Sequence, residues 1–395
     1  MLAAVASVAL AAPAFAWTFG ASGTSTANFN STSKTAKTGA TALSSGGVTS
    51  SASSLKLSSS HTDGPKSLSL SYTLDWDGNL DETITLSGSS KVGDWTASGD
   101  VSYNRDRPGC YATDNGTAAS TAATAGCQGQ TGEDTTAVTV TDGTMTIKLG
   151  DASHLSGQNV SSNGAAAGAV SFDAADDDAS VGAFVGAFQG VSLGYKISDT
   201  MSATVAYQAS LDTADACGAG EAYDGEGASH GITATGLGFS GTFGIASVGF
   251  TMCNATTADA GTASVSPAST STATSTMGIG VKLDLGDIDP FISFGTYSAV
   301  GSVSKAGAAY AGNEVGLTYA LGNDTVVFYI GSVTEIVTPS GGVAGEAITK
   351  SGMELGYNTM VGPASLKVGY GSQTHAQTGG STDGYSMTDI EVAMT

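Results

Sequence analysis

Asp173, Asp176, Asp177 and Asp178 crowd into the stretch 151–178, which has no hydrophobic period of its own. Carboxylates at this density perform no covalent step by themselves. Folded into a narrow water-filled passage, they would concentrate cations and repel anions, as charged rings do in ion pathways. Lys91, Lys148 and Lys196 could then form the opposite wall and set up a transverse field. On an open surface the same aspartates would be a solvated acidic loop.

Other constellations carry less. Asp75-Trp-Asp-Gly-Asn-Leu-Asp-Glu82 places oxygens on Asp75, Asp77, Asn79 and Asp81, an alternation that suits calcium. It lacks the glycine and the distal glutamate of a calcium loop, so it reads as a polar hairpin turn that bridges Ca²⁺ or Mg²⁺ weakly. Gly190-Val-Ser-Leu-Gly194 has the spacing of a nucleophile elbow. That motif needs a strained strand-to-helix turn, and here an alternating strand runs through it with no helix after. His61, His154, His230 and His375 are scattered, mostly in loops or at strand ends. No catalytic residue is assigned, no enzyme activity is expected, and no cofactor is implied.

The elements that must position these groups are strands. Lys66-Ser-Leu-Ser-Leu-Ser-Tyr-Thr-Leu-Asp-Trp76 alternates without error, Leu68, Leu70, Tyr72, Leu74 and Trp76 against serines, Thr73 and Asp75. Successive strand side chains point to opposite faces, so one face is apolar and one polar. The same alternation sets Val191, Leu193, Tyr195 and Ile197 against Lys196, and Val315, Leu317 and Tyr319 against Glu314. Leu355 opposes Glu354, and Leu366, Val368 and Tyr370 oppose Lys367. Lys148 lies opposite Met145, Ile147 and Leu149. A basic residue on a lipid-facing surface costs about 2–4 kcal/mol near the bilayer midplane, so a barrel keeps such charges on the other parity. A soluble sandwich would alternate likewise, but its polar face would carry more charge than Ser, Thr and Gly. Phe291, Ile292 and Phe294, and Val326 to Ile330, are apolar on both faces, which fits a place under an inward loop or at a subunit contact.

Eighteen strand-like segments are readable, most about ten residues long, a length that suits tilted membrane strands of roughly 9–11 residues. From mid-chain, short turns at 197–200, 240–241, 286–287, 322–323 and 360–361 alternate with long polar connections at 212–229, 254–274, 300–311, 337–349 and 376–382. Short turns on one rim and long loops on the other are typical of outer-membrane barrels.

Composition narrows the class further. With 56 Gly, 12% charged residues and a net charge of −22, the chain suits many short strands and turns and argues against nucleic acid as a partner. Residues 2–16 form an apolar stretch ending in Ala14-Phe15-Ala16, read as a signal peptide over 1–16 with Trp17 as the mature N-terminus. Four cysteines in an exported chain allow three pairings. Cys110 with Cys127 brackets one Thr/Ala/Gly-rich insertion, which leaves Cys217 with Cys253.

Nearly the whole of 17–395 resembles the general porins of Gram-negative bacteria, the alphaproteobacterial group most. The resemblance rests on architecture and on short phrases, Asp142-Gly-Thr-Met-Thr-Ile-Lys-Leu-Gly150, Leu193-Gly-Tyr-Lys-Ile-Ser-Asp199 and Ala203-Thr-Val-Ala-Tyr207. It implies a transmembrane antiparallel β-barrel of 16 strands, with 18 the number the segments give, short periplasmic turns and long extracellular loops. It also implies a homotrimer in the outer membrane, among lipid and lipopolysaccharide, and an inward-folded constriction loop, here assigned near 151–178. The chain departs from that family in ending Val392-Ala-Met-Thr395 without an aromatic residue and in having only 13 Lys and Arg. The expected function is passive diffusion of small hydrophilic solutes and ions with cation preference. The alternative is an acidic structural surface protein of the S-layer or adhesin kind.

Overall fold

The computed structural model describes residues 17–36, 43–76, 80–107, 134–152, 154–155, 188–211, 231–258, 272–300, 308–337, 346–378 and 385–395. They form eighteen strands, all antiparallel in the pairings described. The early strands are β1 (Thr18–Ala36), β2 (Leu43–Asp63), β3 (Lys66–Trp76), β4 (Leu80–Val92), β5 (Trp95–Arg107) and β6 (Asp134–Thr141). The middle ones are β7 (Met145–Ala152), β8 (Phe188–Ser198), β9 (Met201–Leu211), β10 (Gly231–Phe243), β11 (Ala246–Ala258) and β12 (Thr272–Leu283). The last are β13 (Ile288–Val300), β14 (Ala308–Leu321), β15 (Asp324–Val337), β16 (Glu346–Val361), β17 (Ala364–Thr378) and β18 (Tyr385–Met394). Among the described residues no helix is long and apolar enough to cross a membrane.

The sixteen strands implied by the resemblance are therefore corrected to eighteen. None of the segments is an over-split half of a longer strand: β4, for example, keeps a continuous register with β3 on one side and β5 on the other. The chain divides into two compact units, the first with residues 1–27, 49–143 and 395, the second with 28–48 and 144–394.

In the first unit the alternation read from sequence sets the register. Leu70 faces Leu86 and Tyr72 faces Ile84, while Ser67 faces Ser89 and Ser69 faces Ser87. Hydroxyl meets hydroxyl across the polar face, with Ser67 to Ser89 at 2.7 Å and Thr85 to Ser102 at 2.8 Å. β1 lies against β2, where Thr24 and Ser54 hydroxyls meet at 2.9 Å.

In the second unit β7 to β18 follow one another as an antiparallel meander. Its tight connections turn on glycine at Gly244, Gly286, Gly322 and Gly362, and on Asp199-Thr200 between β8 and β9. Gly244 has φ 63° and joins β10 to β11, whereas the sequence placed that turn at Ser240-Gly241. Gly241 instead stays within β10, and a Cβ there would lie 2.9 Å from the Phe243 ring. That glycine serves a close approach, not a turn. The turn expected at Met360-Val361 likewise moves to Gly362-Pro363. Gly322, between β14 and β15, has φ 66° and open space around its missing Cβ. Gly322→Ala is expected to cost about 1–2 kcal/mol from the left-handed backbone alone, with Gly322→Asn losing less. Denaturant titration of the folded protein in detergent checks both.

The burial is inverted relative to a water-soluble protein. In the second unit Gln208, Thr251, Thr276, Glu314 and Glu354 are 0–1% exposed, while Leu193, Val205, Phe294, Ile330 and Leu355 are 42–52% exposed. On β9 and β16 the two kinds take opposite parities of one strand, Gln208 against Val205 and Glu354 against Leu355, so the polar face is the buried one. A soluble sandwich buries the apolar parity because that removes apolar area from water. Here large apolar side chains stand outward on strand after strand, the arrangement of a lipid-facing surface. β13 and β15 fit the same scheme: Ile292, Phe294 and Ile330 are exposed, and Phe291, Val327 and Tyr329 are buried. Their double apolarity comes from a small apolar patch on the buried face.

Candidate functional site

Each unit has a polar face that is a candidate site, and the two carry different chemistry. In the second unit the strands β13 to β18 carry its acids. Register places Ser293 beside Glu314, Tyr329 beside Glu354, and Gly371 between Glu354 and Asp389. Small residues between the acids, Gly331 and Gly371 among them, let long side chains lie flat across neighbouring strands. The Tyr329 hydroxyl donates to the Glu354 carboxylate at 2.5 Å, and Ser293 donates to Glu314 at a long 3.5 Å. Phe291 and Tyr329 close over Gly316, where no side chain would fit. The result is a band of carboxylates, Glu314, Glu354 and Asp389, set among hydroxyl donors and one apolar patch.

Next to the end of β7 the chain turns onto this same face. The His154 imidazole lies 2.8 Å from the Ser192 hydroxyl through Nδ1 and 3.1 Å from the Gly150 carbonyl oxygen through Nε2. A carbonyl only accepts, so Nε2 donates to Gly150, and in the tautomer with its proton there Nδ1 accepts from the Ser192 hydroxyl. Leu155 is fully buried against Gly236.

The first unit offers hydroxyls in place of acids. Ser67, Ser69, Thr85, Ser87, Ser89 and Ser98 line a shallow groove of about 370 Å³ with Asp100 at its edge. Hydroxyls both donate and accept, so such a wall replaces a solute's hydration without demanding one orientation.

The strand ends hold the described ion pairs. Lys196 meets Asp199 at 2.7 Å in the β8–β9 turn, and Lys282 meets Asp289 at 3.1 Å. The Lys196 ammonium, by hydrogen bond and then by charge, holds the Asp199 carboxyl below the usual range. Tyr357 and Thr359 both donate to Asp324 at 2.6 Å beside the Gly322 turn. Exposed aromatics, Trp95, Tyr195, Phe243 and Tyr357, stand close in sequence to the tight turns, where an amphipathic ring suits a membrane–water boundary.

Of the residues singled out from sequence, Lys148 and Lys196 share the polar parity of the β7–β8 pair, with Lys148 opposite Ser192. Lys196 is committed to Asp199 at the turn. Lys91 belongs to the first unit, exposed beside the Gly93 turn. Asp173, Asp176, Asp177 and Asp178 lie outside the described residues. So do Asp77 and Asn79, while the backbones of Asp75 and Asp81 pair across the β3–β4 hairpin. Among the described residues no group of three metal-ligating side chains converges. Cys253, buried on β11, is disulfide-bonded; Cys110, Cys127 and Cys217 lie outside the described residues.

Sequence reasoning missed two features. Glu314 and Glu354 were visible only as parity markers, because the row they form with Asp389 depends on the register of several strands. His154 has no role legible in the sequence, because no local pattern announces its partner on a strand 38 residues away.

No family model matches the chain, and no curated protein matches it. Among solved structures, the outer membrane channel DcaP of Acinetobacter baumannii is 13% identical, covering 95% of this chain and 97% of that one with a TM-score of 0.47. A mutant porin of Rh. blastica is 12% identical over 94% of this chain and 100% of that one, with a TM-score of 0.36. Overlaps this loose carry no argument. Pseudomonas aeruginosa OpdQ is 12% identical, covering 94% of this chain and 97% of that one with a TM-score of 0.50. At that identity the likeness is one of fold: the chain is similar in its architecture to OpdQ along nearly its whole length.

Proposed function

We propose that this chain is an outer-membrane porin, its eighteen strands closed into a water-filled barrel through which small hydrophilic solutes and ions diffuse passively. The observation that carries the reading is the inverted burial, with polar side chains enclosed and Leu, Ile, Val, Phe and Tyr standing outward. A closed barrel leaves no unpaired strand edge in lipid. The tight glycine turns form the periplasmic rim and the long connections the extracellular one. Lipid and lipopolysaccharide surround the barrel, and three copies assemble as a trimer.

Passage favours cations. The net charge of −22, the buried-face carboxylates Glu314, Glu354 and Asp389, and the acidic stretch 151–178 all bias the lumen the same way. The aspartates Asp173, Asp176, Asp177 and Asp178 act at the constriction with Lys148, which shares the polar parity of β7, while Lys196 and Lys91 stay at the tight turns.

Swelling of liposomes containing the folded protein in isotonic solutions of graded polyols tests the reading. Swelling that falls with solute size is the expected result; liposomes that behave like protein-free controls would overturn it. Replacing the four aspartates together with Asn is expected to shift the reversal potential toward zero while conductance persists. An unchanged reversal potential removes them from the selectivity site.

A further inference from the structure

We infer that His154 and Leu155 are positioning residues of the passage, a two-part latch that holds the chain after β7 against its wall. The functional consequence rests on the porin reading; the latch itself rests on contacts. β7 ends at Ala152, and a surface loop would lead the chain away from the sheet there. Instead His154 and Leu155 are both buried on the polar face.

The two residues divide the work. His154 bonds at once to Ser192 on the neighbouring strand β8 and back to Gly150 on its own, which fixes direction and register. Leu155 fixes depth. It sits on a floor of small residues, where Gly236 is flanked in register by Ala206 and Cys253. A Cβ at Gly236 would lie 2.5 Å from Leu155 Cδ1 and 3.5 Å from the Ala206 Cβ. A fully buried leucine over a glycine that leaves room for it is a socket and plug. Passing solutes therefore meet a wall narrowed at β8–β10, and the passage widens when the plug is removed.

Single-channel recording in planar bilayers tests this with the full chain, Leu155→Ala, Ser192→Ala and Gly236→Val, each verified as folded by heat-modifiable migration on gels. Ser192→Ala removes one hydroxyl and leaves the rest of the strand intact. The expected result is a larger or flickering unit conductance in the variants, with no such change in the parent. Variants that conduct like the parent would overturn the latch and leave the porin reading standing. Oxidative cross-linking of Leu155→Cys with Gly236→Cys, read by mass spectrometry, judges the contact without conductance. A cross-link supports the socket even if the parent forms no channel, and its absence in folded protein overturns it.

Discussion

Leu70→Arg is expected to destabilise the membrane-inserted protein by about 2–4 kcal/mol, whereas Ser69→Arg, one residue away, is expected to cost little. Leu70 is 44% exposed near the middle of β3, paired with the outward Leu86. In a bilayer that exposure is to hydrocarbon, and a guanidinium there must snorkel or drag water in. Ser69 lines the hydroxyl groove, where an arginine remains hydrated. If the outward face met water, both changes would fall within about 0.5 kcal/mol, as surface substitutions do. Denaturant titration of refolding into lipid vesicles measures the pair. Parity is what the comparison reads, because two adjacent residues share every other aspect of their surroundings.

Gly316→Ala is expected to cost about 1–3 kcal/mol or more, the range for overpacking a tight site. A Cβ there would overlap the Phe328 carbonyl oxygen and lie 2.5 Å from the Phe291 ring and 2.6 Å from the Tyr329 Cβ. The carbonyl and the Cβ cannot rotate aside, so β15 itself would have to shift. Tyr329 also holds Glu354 through its hydroxyl, so a displaced β15 loosens the acidic band as well. Gly88→Ala is the matched comparison. Its Cβ would make ordinary contacts at 3.6 and 3.8 Å, and the expected loss reflects no overlap. Thermal loss of the compact form on gels ranks the two variants.

Much of the fold was legible because alternation is a local signal. The Leu68–Trp76 run fixes both faces of β3 by itself, and the same parity rule placed Lys148, Glu314 and Lys367 on the polar side. The segments counted eighteen; the count of sixteen came from the resemblance, and register decides for eighteen. Turn positions were legible at 197–200, 286–287 and 322–323, and misplaced at 240–241 and 360–361. At Gly241 and Gly244 two glycines compete, and the choice depends on a ring, Phe243, that packs beneath one of them.

The site was less legible, for a physical reason. Parity says that Glu314 and Glu354 face the same way, but their meeting with Tyr329, Ser293 and Asp389 depends on stagger between strands separated by long connections. The socket for Leu155 is harder still. Gly236 reads as one glycine among many, and only the returning chain shows why a side chain is absent there.

Planar-bilayer recording of the detergent-extracted protein under a salt gradient tests the central claim most directly. The account predicts stepwise conductance with a reversal potential on the cation-selective side. Folded, membrane-extracted protein that gives no steps would contradict it.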